Sequence, residues 1–173
     1  GTTPNFDVVA TICHETKLQV EIGGGIRSLE MIERYLNAGV ARVILGTKAV
    51  TDENFLRDAV GRWGERIAVG VDAKDGKVAV KGWLEVLDVD MFDFLWKLRD
   101  IGVKTAIVTD ISKDGAMKGT NLPLYERLSR IDGIDITASG GVSTLEDIRA
   151  LRDMGLYGAI LGKAMYNGAI ELK

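Results

Sequence analysis

Short apolar runs alternate along this chain with longer segments in which apolar side chains recur at helical spacing. The runs predict strands over Leu18–Ile22, Arg42–Leu45, Ile67–Val71, Thr105–Thr109, Asp135–Ala138 and Gly158–Leu161. The segments between them predict helices, so the grammar is that of successive βα units on a parallel sheet. Acceptor side chains stand where helices should begin: Ser28 before Leu29, Thr51 before Asp52-Glu53, and Thr144 before Leu145-Glu146-Asp147. Ala38-Gly39 and Met154-Gly155 supply the glycine that commonly closes a last turn. A middle helix from about Asp90 to Ile101 carries Phe92, Leu95, Trp96 and Leu98 as a core-facing stripe. Pro123 falls near a first helical turn, where its missing N–H matters least. Asn5 to Thr16 reads as a helix with no strand ahead of it.

One stretch of this pattern occurs twice. Gly24-Gly25-Ile26-Arg27-Ser28-Leu29-Glu30 and Gly140-Gly141-Val142-Ser143-Thr144-Leu145-Glu146 are related by the 116 residues that separate Gly24 from Gly140. The same spacing takes Ile32 to Ile148, Gly39 to Gly155 and Ile44-Leu45-Gly46 to Ile160-Leu161-Gly162. A glycine turn between strand and helix exposes backbone N–H groups and has no β-carbon to keep an oxyanion away. Each copy is therefore a candidate phosphate cradle, with Gly24 and Gly25 in the first and Gly140 and Gly141 in the second. The turns Gly46-Thr47 and Gly162-Lys163 are placed to close them, and Arg27 adds a charged fork to the first. The alternatives are that the glycines only make tight turns, or that the duplication now serves packing. Two cradles point to one ligand with two phosphates.

Six parallel strands fit either an open doubly wound sheet or the larger part of a (βα)8 barrel, which usually has about 250 residues. The barrel is favoured because every strand ends in its own polar or glycine-rich loop: Gly23-Gly24-Gly25, Gly46-Thr47, Asp72, Asp110, Ser139-Gly140-Gly141 and Gly162-Lys163. An open sheet concentrates such residues at one crevice. The expectation is an α/β chain forming a single incomplete barrel domain over residues 1–173. The unpaired opening helix and the stop soon after the sixth strand read as a cut through a longer fold.

Composition narrows the function. With 46% hydrophobic and 27% charged residues and a mean hydropathy of +0.08, the chain has the makings of an ordinary folded core. A net charge of −3 gives no global attraction to nucleic acid or an anionic membrane, so phosphate binding must be local. The lone Cys13 forms no internal disulfide and builds no cysteine-based zinc site. No apolar run approaches the ~18 residues of a spanning helix and no signal pattern opens the chain, so the cytoplasm is the expected compartment. His14 is the single histidine and sits away from every glycine loop, so no metal site is expected. Nucleophilic triads, Walker-type loops and nucleic-acid motifs are not found.

The acid–base candidates end the middle strands. Asp72 closes the apolar run Ile67–Val71, where a carboxylate is costly unless it faces the loop end. Thr109, Asp110 and Asp114 follow the next strand, with Asp114-Gly115 as a turn. An aspartate after a strand also serves as a cap or turn residue. Trp83, in the loop beyond Asp72, suits either stacking on a planar ring or covering apolar surface.

Taken together, Val20-Glu21-Ile22-Gly23-Gly24-Gly25-Ile26-Arg27-Ser28, Val71-Asp72-Ala73-Lys74-Asp75-Gly76, Val80-Lys81-Gly82-Trp83, Thr109-Asp110-Ile111-Ser112-Lys113-Asp114-Gly115 and Ala138-Ser139-Gly140-Gly141-Val142-Ser143 resemble the isomerase family of histidine biosynthesis. Its members act on phosphoribosylformimino-aminoimidazole carboxamide ribotide. The sister cyclase family shares the glycine turns, but Lys81-Gly82-Trp83 and Gly46-Thr47-Lys48 look like the isomerase. The resemblance implies a (βα)8 barrel present here from its third to eighth strand, a bisphosphorylated small-molecule substrate, and an Amadori rearrangement without a cofactor. It implies that Asp72 is an acid, that Thr109 and Asp114 help hold substrate, and that Trp83 lies near the imidazole. It implies phosphate contacts from Arg27, Gly24, Gly25, Gly46, Thr47, Gly140, Gly141, Gly162 and Lys163. The family's second catalytic aspartate belongs to a first strand that has no match here. The chain alone is therefore expected to isomerise poorly and to self-associate or take up a companion piece. The rival expectation is a non-catalytic phosphate-binding or self-assembling module.

Overall fold

Parallel pairing starts where the sequence turns apolar, because strands buried by flanking helices lose least by carrying Val, Ile and Leu. The computed structural model describes residues 5–116 and 119–171, which divide into two units. The first comprises the described residues up to Gly70 together with Asp100–Lys104. It holds helix α1 (Phe6–Glu15), strand β1 (Glu21–Gly23), α2 (Leu29–Asn37), β2 (Arg42–Leu45), α3 (Thr47–Thr51), α4 (Glu53–Trp63), a 3-10 turn at Gly64–Arg66, and the start of β3 (Ile67–Lys74). The three strands run parallel, with Ile22 opposite Val43 and Ile44 opposite Ala68. Ile32, Val40, Val43, Leu45 and Ile67 are fully buried. The Arg66 guanidinium closes α2 by donating to the Leu36 and Val40 carbonyls at 3.2 and 2.8 Å.

The second unit comprises Val71–Arg99 and the described residues from Thr105 onward. Here β3 finishes and pairs antiparallel with β4 (Lys77–Val80), which pairs with β5 (Glu85–Asp90). Next come α5 (Met91–Ile101), β6 (Thr105–Asp110), α6 (Leu122–Leu128), β7 (Asp135–Ser139), α7 (Leu145–Asp153), β8 (Gly158–Ala159) and α8 (Lys163–Tyr166). Strands β6, β7 and β8 are parallel neighbours. Met91, Leu95, Leu98, Val108, Tyr125 and Leu128 are fully buried. Three parallel strands in each unit, alternating with helices and with a hairpin inserted after β3, are consistent with the expected partial (βα)8 barrel. Among the described residues no helix is long and apolar enough to cross a membrane.

Several expectations need correction. The sequence suggests a loop after Asp72, whereas the chain makes a hairpin whose two-residue turn, Asp75-Gly76, has φ values of 51° and 79°. That Asp-Gly pair suits a turn requiring two left-handed residues. Its pairing extends β3 to Lys74, opposite Lys77. Strand β1 begins at Glu21 rather than Leu18, which is 69% exposed, and β8 ends before the half-exposed Ile160. Asp52, not Thr51, caps α4: its carboxylate accepts from Phe55 N–H at 3.0 Å, while Thr51 ends α3.

The internal repeat is geometrical as well as sequential. Gly24 and Gly140 have φ of 96° and 98°, and Gly25 and Gly141 have 68° and 78°. Glu21 pairs with Arg42 as Thr137 pairs with Gly158. The copies differ in their bracing. Thr144 and Asp147 form a capping box, and the Asp147 carboxylate also accepts from Ser143 N–H at 3.0 Å. Met31 stands at the matching place in the first copy, where Ser28 alone caps the helix. Burial pushes the Asp147 carboxyl up, but the backbone N–H groups of Ser143 and Thr144, with their hydroxyls, more than offset this and hold it below its ordinary value.

Two predictions follow from this asymmetry. A β-carbon at Gly141 would lie 2.6 Å from the Gly119 carbonyl oxygen, whereas one at Gly25 would meet no described atom within 4 Å. Gly25→Ala should therefore cost only left-handed strain of about 1–2 kcal/mol, and Gly141→Ala distinctly more, read from urea midpoints; equal losses would refute the packing argument. A carboxyl with a depressed folded pKa adds stability above its unfolded value of about 3.9 and loses it as pH falls through the folded value. Stability should accordingly decline below about pH 5, and Asp147→Asn should flatten that decline in pH-dependent urea titrations.

Candidate functional site

In the second unit the end of β7 turns through Gly140 and Gly141, and the end of β8 turns through Gly162 into α8. Because β7 and β8 are parallel neighbours, both turns emerge on the same side. They line a cavity of about 270 Å³ with Asp114, Gly115, Ser139, Val142, Ile160 and Lys163. Five residues singled out from the sequence, Asp114, Gly140, Gly141, Gly162 and Lys163, thus meet at one place. The Lys163 ammonium reaches across and donates to the Gly115 carbonyl at 3.1 Å. A cation and turns of backbone amides around a small concave space are a chemistry that receives an oxyanion.

The Gly140-Gly141 turn is also a packing element. A β-carbon at Gly140 would sit 2.7 Å from the Asp110 carbonyl oxygen. Thr120 Oγ1 donates to the Gly140 carbonyl at 2.8 Å. Packing by itself demands glycine at these two positions.

In the first unit Gly24, Gly25 and Arg27 follow β1, while Gly46 and Thr47 follow its parallel neighbour β2. Gly46 and Gly162 share an uncommon backbone conformation, with φ, ψ of −105°, −114° and −109°, −100°. Gly24, Gly25, Gly46 and Arg27 are exposed.

Asp72 and Trp83 belong to the second unit and touch directly. Trp83 Nε1–H donates to Asp72 Oδ2 at 2.9 Å. The contact is made by a strained hairpin tip: Lys81, Gly82 and Trp83 have φ of 55°, 67° and 71° in succession. Two side-chain-bearing residues in the left-handed region are held there at a cost, a pattern found where a side chain must be aimed. Trp83 is 43% exposed, and its indole N–H holds one oxygen of the Asp72 carboxylate.

Thr109 is 7% exposed and lies opposite Ser139 in the last pair between β6 and β7. Asp110, next along, is equally buried. Its carboxylate accepts from Ser112 N–H at 2.9 Å, Ser112 Oγ–H at 2.6 Å and Asn121 Nδ2–H at 2.6 Å. This aspartate shapes the turn that carries Asp114 to the cavity. Asn121 and Tyr125 escape a sequence reading. Asn121 had a signal, since it precedes Leu122-Pro123 and caps α6 by accepting from Leu124 N–H at 3.2 Å. A helical tyrosine has none.

Residues 1–171 match the family model described as histidine biosynthesis protein. A curated protein of Clostridium beijerinckii, named 1-(5-phosphoribosyl)-5-((5-phosphoribosylamino)methylideneamino)imidazole-4-carboxamide isomerase, is 49% identical over 173 residues, which is 100% of this chain and 72% of the relative. Proteins of the same name from Clostridium acetobutylicum and Oceanobacillus iheyensis are 46% and 45% identical over the same shares.

Proposed function

The chain belongs to the histidine biosynthesis protein family, and from that premise we propose that it is an aldose–ketose isomerase of the kind its relatives are named for. The reaction is an Amadori rearrangement of a phosphoribosyl aminoaldose to the aminoketose. What supports this most directly is the cavity gathering Asp114, Gly140, Gly141, Gly162 and Lys163. The relatives' name contains two phosphoribosyl groups, and this chain contains the glycine turn twice. We assign one phosphate to Gly140, Gly141, Gly162 and Lys163, and the other to Gly24, Gly25, Arg27, Gly46 and Thr47.

Ring opening requires a proton on the ribose ring oxygen, and enolamine formation requires loss of the C2 proton. Asp72 is the proposed acid. The Trp83 indole engages its Oδ2 and so orients its Oδ1. Thr109 and Asp114 are proposed to hold the substrate, and the Trp83 ring to flank its imidazole. No step uses a cofactor. A bisphosphorylated small molecule as partner, a cytoplasmic setting, and one incomplete barrel domain over residues 1–173 belong to the same reading.

A second reading, a phosphate-binding module without turnover of its own, draws on exposed apolar side chains. Val8 and Leu18 in the first unit and Tyr157 and Tyr166 in the second are more than half exposed. Such surfaces favour self-association or a companion segment. On this reading the chain binds phosphate and self-associates but does not convert the ribotide.

Calorimetry with inorganic phosphate, a turnover assay with the ribotide, and sedimentation separate the readings. Lys163→Met should weaken phosphate binding about tenfold. Asp72→Asn should leave phosphate binding intact and lower turnover roughly 100-fold or more. Binding by a self-associated chain without turnover selects the module; a monomer that neither binds nor turns over refutes both. Trp83→Phe keeps the ring and removes the donor to Asp72, so kcat should fall roughly 10-fold with KM little changed.

A further inference from the structure

Helix α6 grips the end of β6 on both sides of Thr109. At its N-terminus, Asn121 Nδ2–H donates to Asp110 Oδ2 at 2.6 Å. One turn later the Tyr125 hydroxyl reaches the Val108 carbonyl at 2.9 Å. The same hydroxyl approaches the Ser139 carbonyl at 2.6 Å and accepts from Ser139 N–H at 3.1 Å. Ser139 is the residue before Gly140, and it is the last partner of Thr109 in the parallel ladder. A single phenol is thus bonded to the backbone immediately before Thr109 and immediately before the Gly140-Gly141 turn.

The setting suits a fixed connection. Tyr125 is completely buried. Burial pushes its hydroxyl up to about 12, helped by the nearby Asp110 charge and opposed by backbone hydrogen bonds. The group therefore stays protonated, with one proton for two carbonyls and lone pairs for the Ser139 amide. A parallel ladder ends where its strands diverge into loops, which leaves the last carbonyls without partners. Here one hydroxyl shares its proton between the Val108 and Ser139 carbonyls and accepts from the Ser139 amide.

We propose that Tyr125 is a positioning residue: its hydroxyl sets the spacing between Thr109 and the Gly140-Gly141 turn, and so the shape of the anion cavity. This rests on the roles assigned above to Thr109 and Gly140. It takes no part in proton transfer and touches no substrate.

The test compares Tyr125→Phe, which keeps the ring, with Ile131→Val, a mild core change at a buried position with no bond to either strand end. Amide hydrogen exchange is measured without ligand, and inorganic phosphate binding by titration. Tyr125→Phe should speed exchange at Ser139, Gly140 and Gly141 about tenfold relative to Thr105–Ile107. It should weaken phosphate binding about fivefold, while Ile131→Val does neither. Uniform acceleration across β6 and β7, or unchanged phosphate affinity in Tyr125→Phe, would overturn the proposal. A variant that does not fold would also overturn it, because the hydroxyl would then be a general folding element. If the unaltered chain binds no phosphate, the functional reading fails separately, and the exchange pattern still decides whether Tyr125 fixes the two strand ends.

Discussion

The Asp110 and Gly119 carbonyls press so closely on the Gly140-Gly141 turn that neither glycine has room for a β-carbon. The rest of the second unit's site depends on that approach. It brings the turn after β6 against the turn after β7, which is how Asp114 and Gly115 come to share a cavity with Gly140 and Gly141. Asp110 is held in turn by three donors from Ser112 and Asn121. A buried carboxylate with that many hydrogen bonds is a satisfied one. Its cost is offset by two donors from Ser112 and a third from Asn121, which lies 11 positions on in the chain.

The internal repeat comprises two turns of the same shape with different supports. In the second copy a carboxylate, Asp147, ties down Ser143 and Thr144. In the first, Met31 occupies the place of Asp147 and Arg27 that of Ser143. The second copy therefore spends its polar side chains on fixing its own backbone, while the first presents an exposed guanidinium. A bidentate donor of that kind suits phosphate recognition as well as a braced turn does. The shared backbone dihedrals show that turn shape survives such exchange, because it is dictated by the glycines.

The contact between Trp83 and Asp72 is of a different kind. Three successive left-handed residues at a hairpin tip are costly, and Lys81 and Trp83 have no glycine's freedom. The hairpin is anchored below by pairing of Asp72 with Ala79 and of Ala79 with Val86, with a register shift between Lys77 and Ala79. That pairing holds the tip against its strain, and the strain aims the indole N–H at the carboxylate.

Much of this was legible in the chain of residues alone. The six parallel strands, the Ser28 and Thr144 caps and the repeated glycine turns are local or periodic features, and residues near in sequence or evenly spaced betray them. The β3–β4 hairpin went unread although Asp75-Gly76 marked its turn, and β5 went unread because Glu85–Asp90 carries three acids and does not resemble a strand. The roles of Asp110, Asn121 and Tyr125 arise from contacts between residues 11 to 17 positions apart. No periodicity records such pairs. Local chemistry determined which segments become strands, turns and capped helices, since a glycine's conformational freedom or a cap's acceptor acts on its immediate neighbours. Tertiary structure decided which turns share a cavity, which carboxylate meets the indole and which hydroxyl holds two strand ends, because those depend on where the chain returns in space.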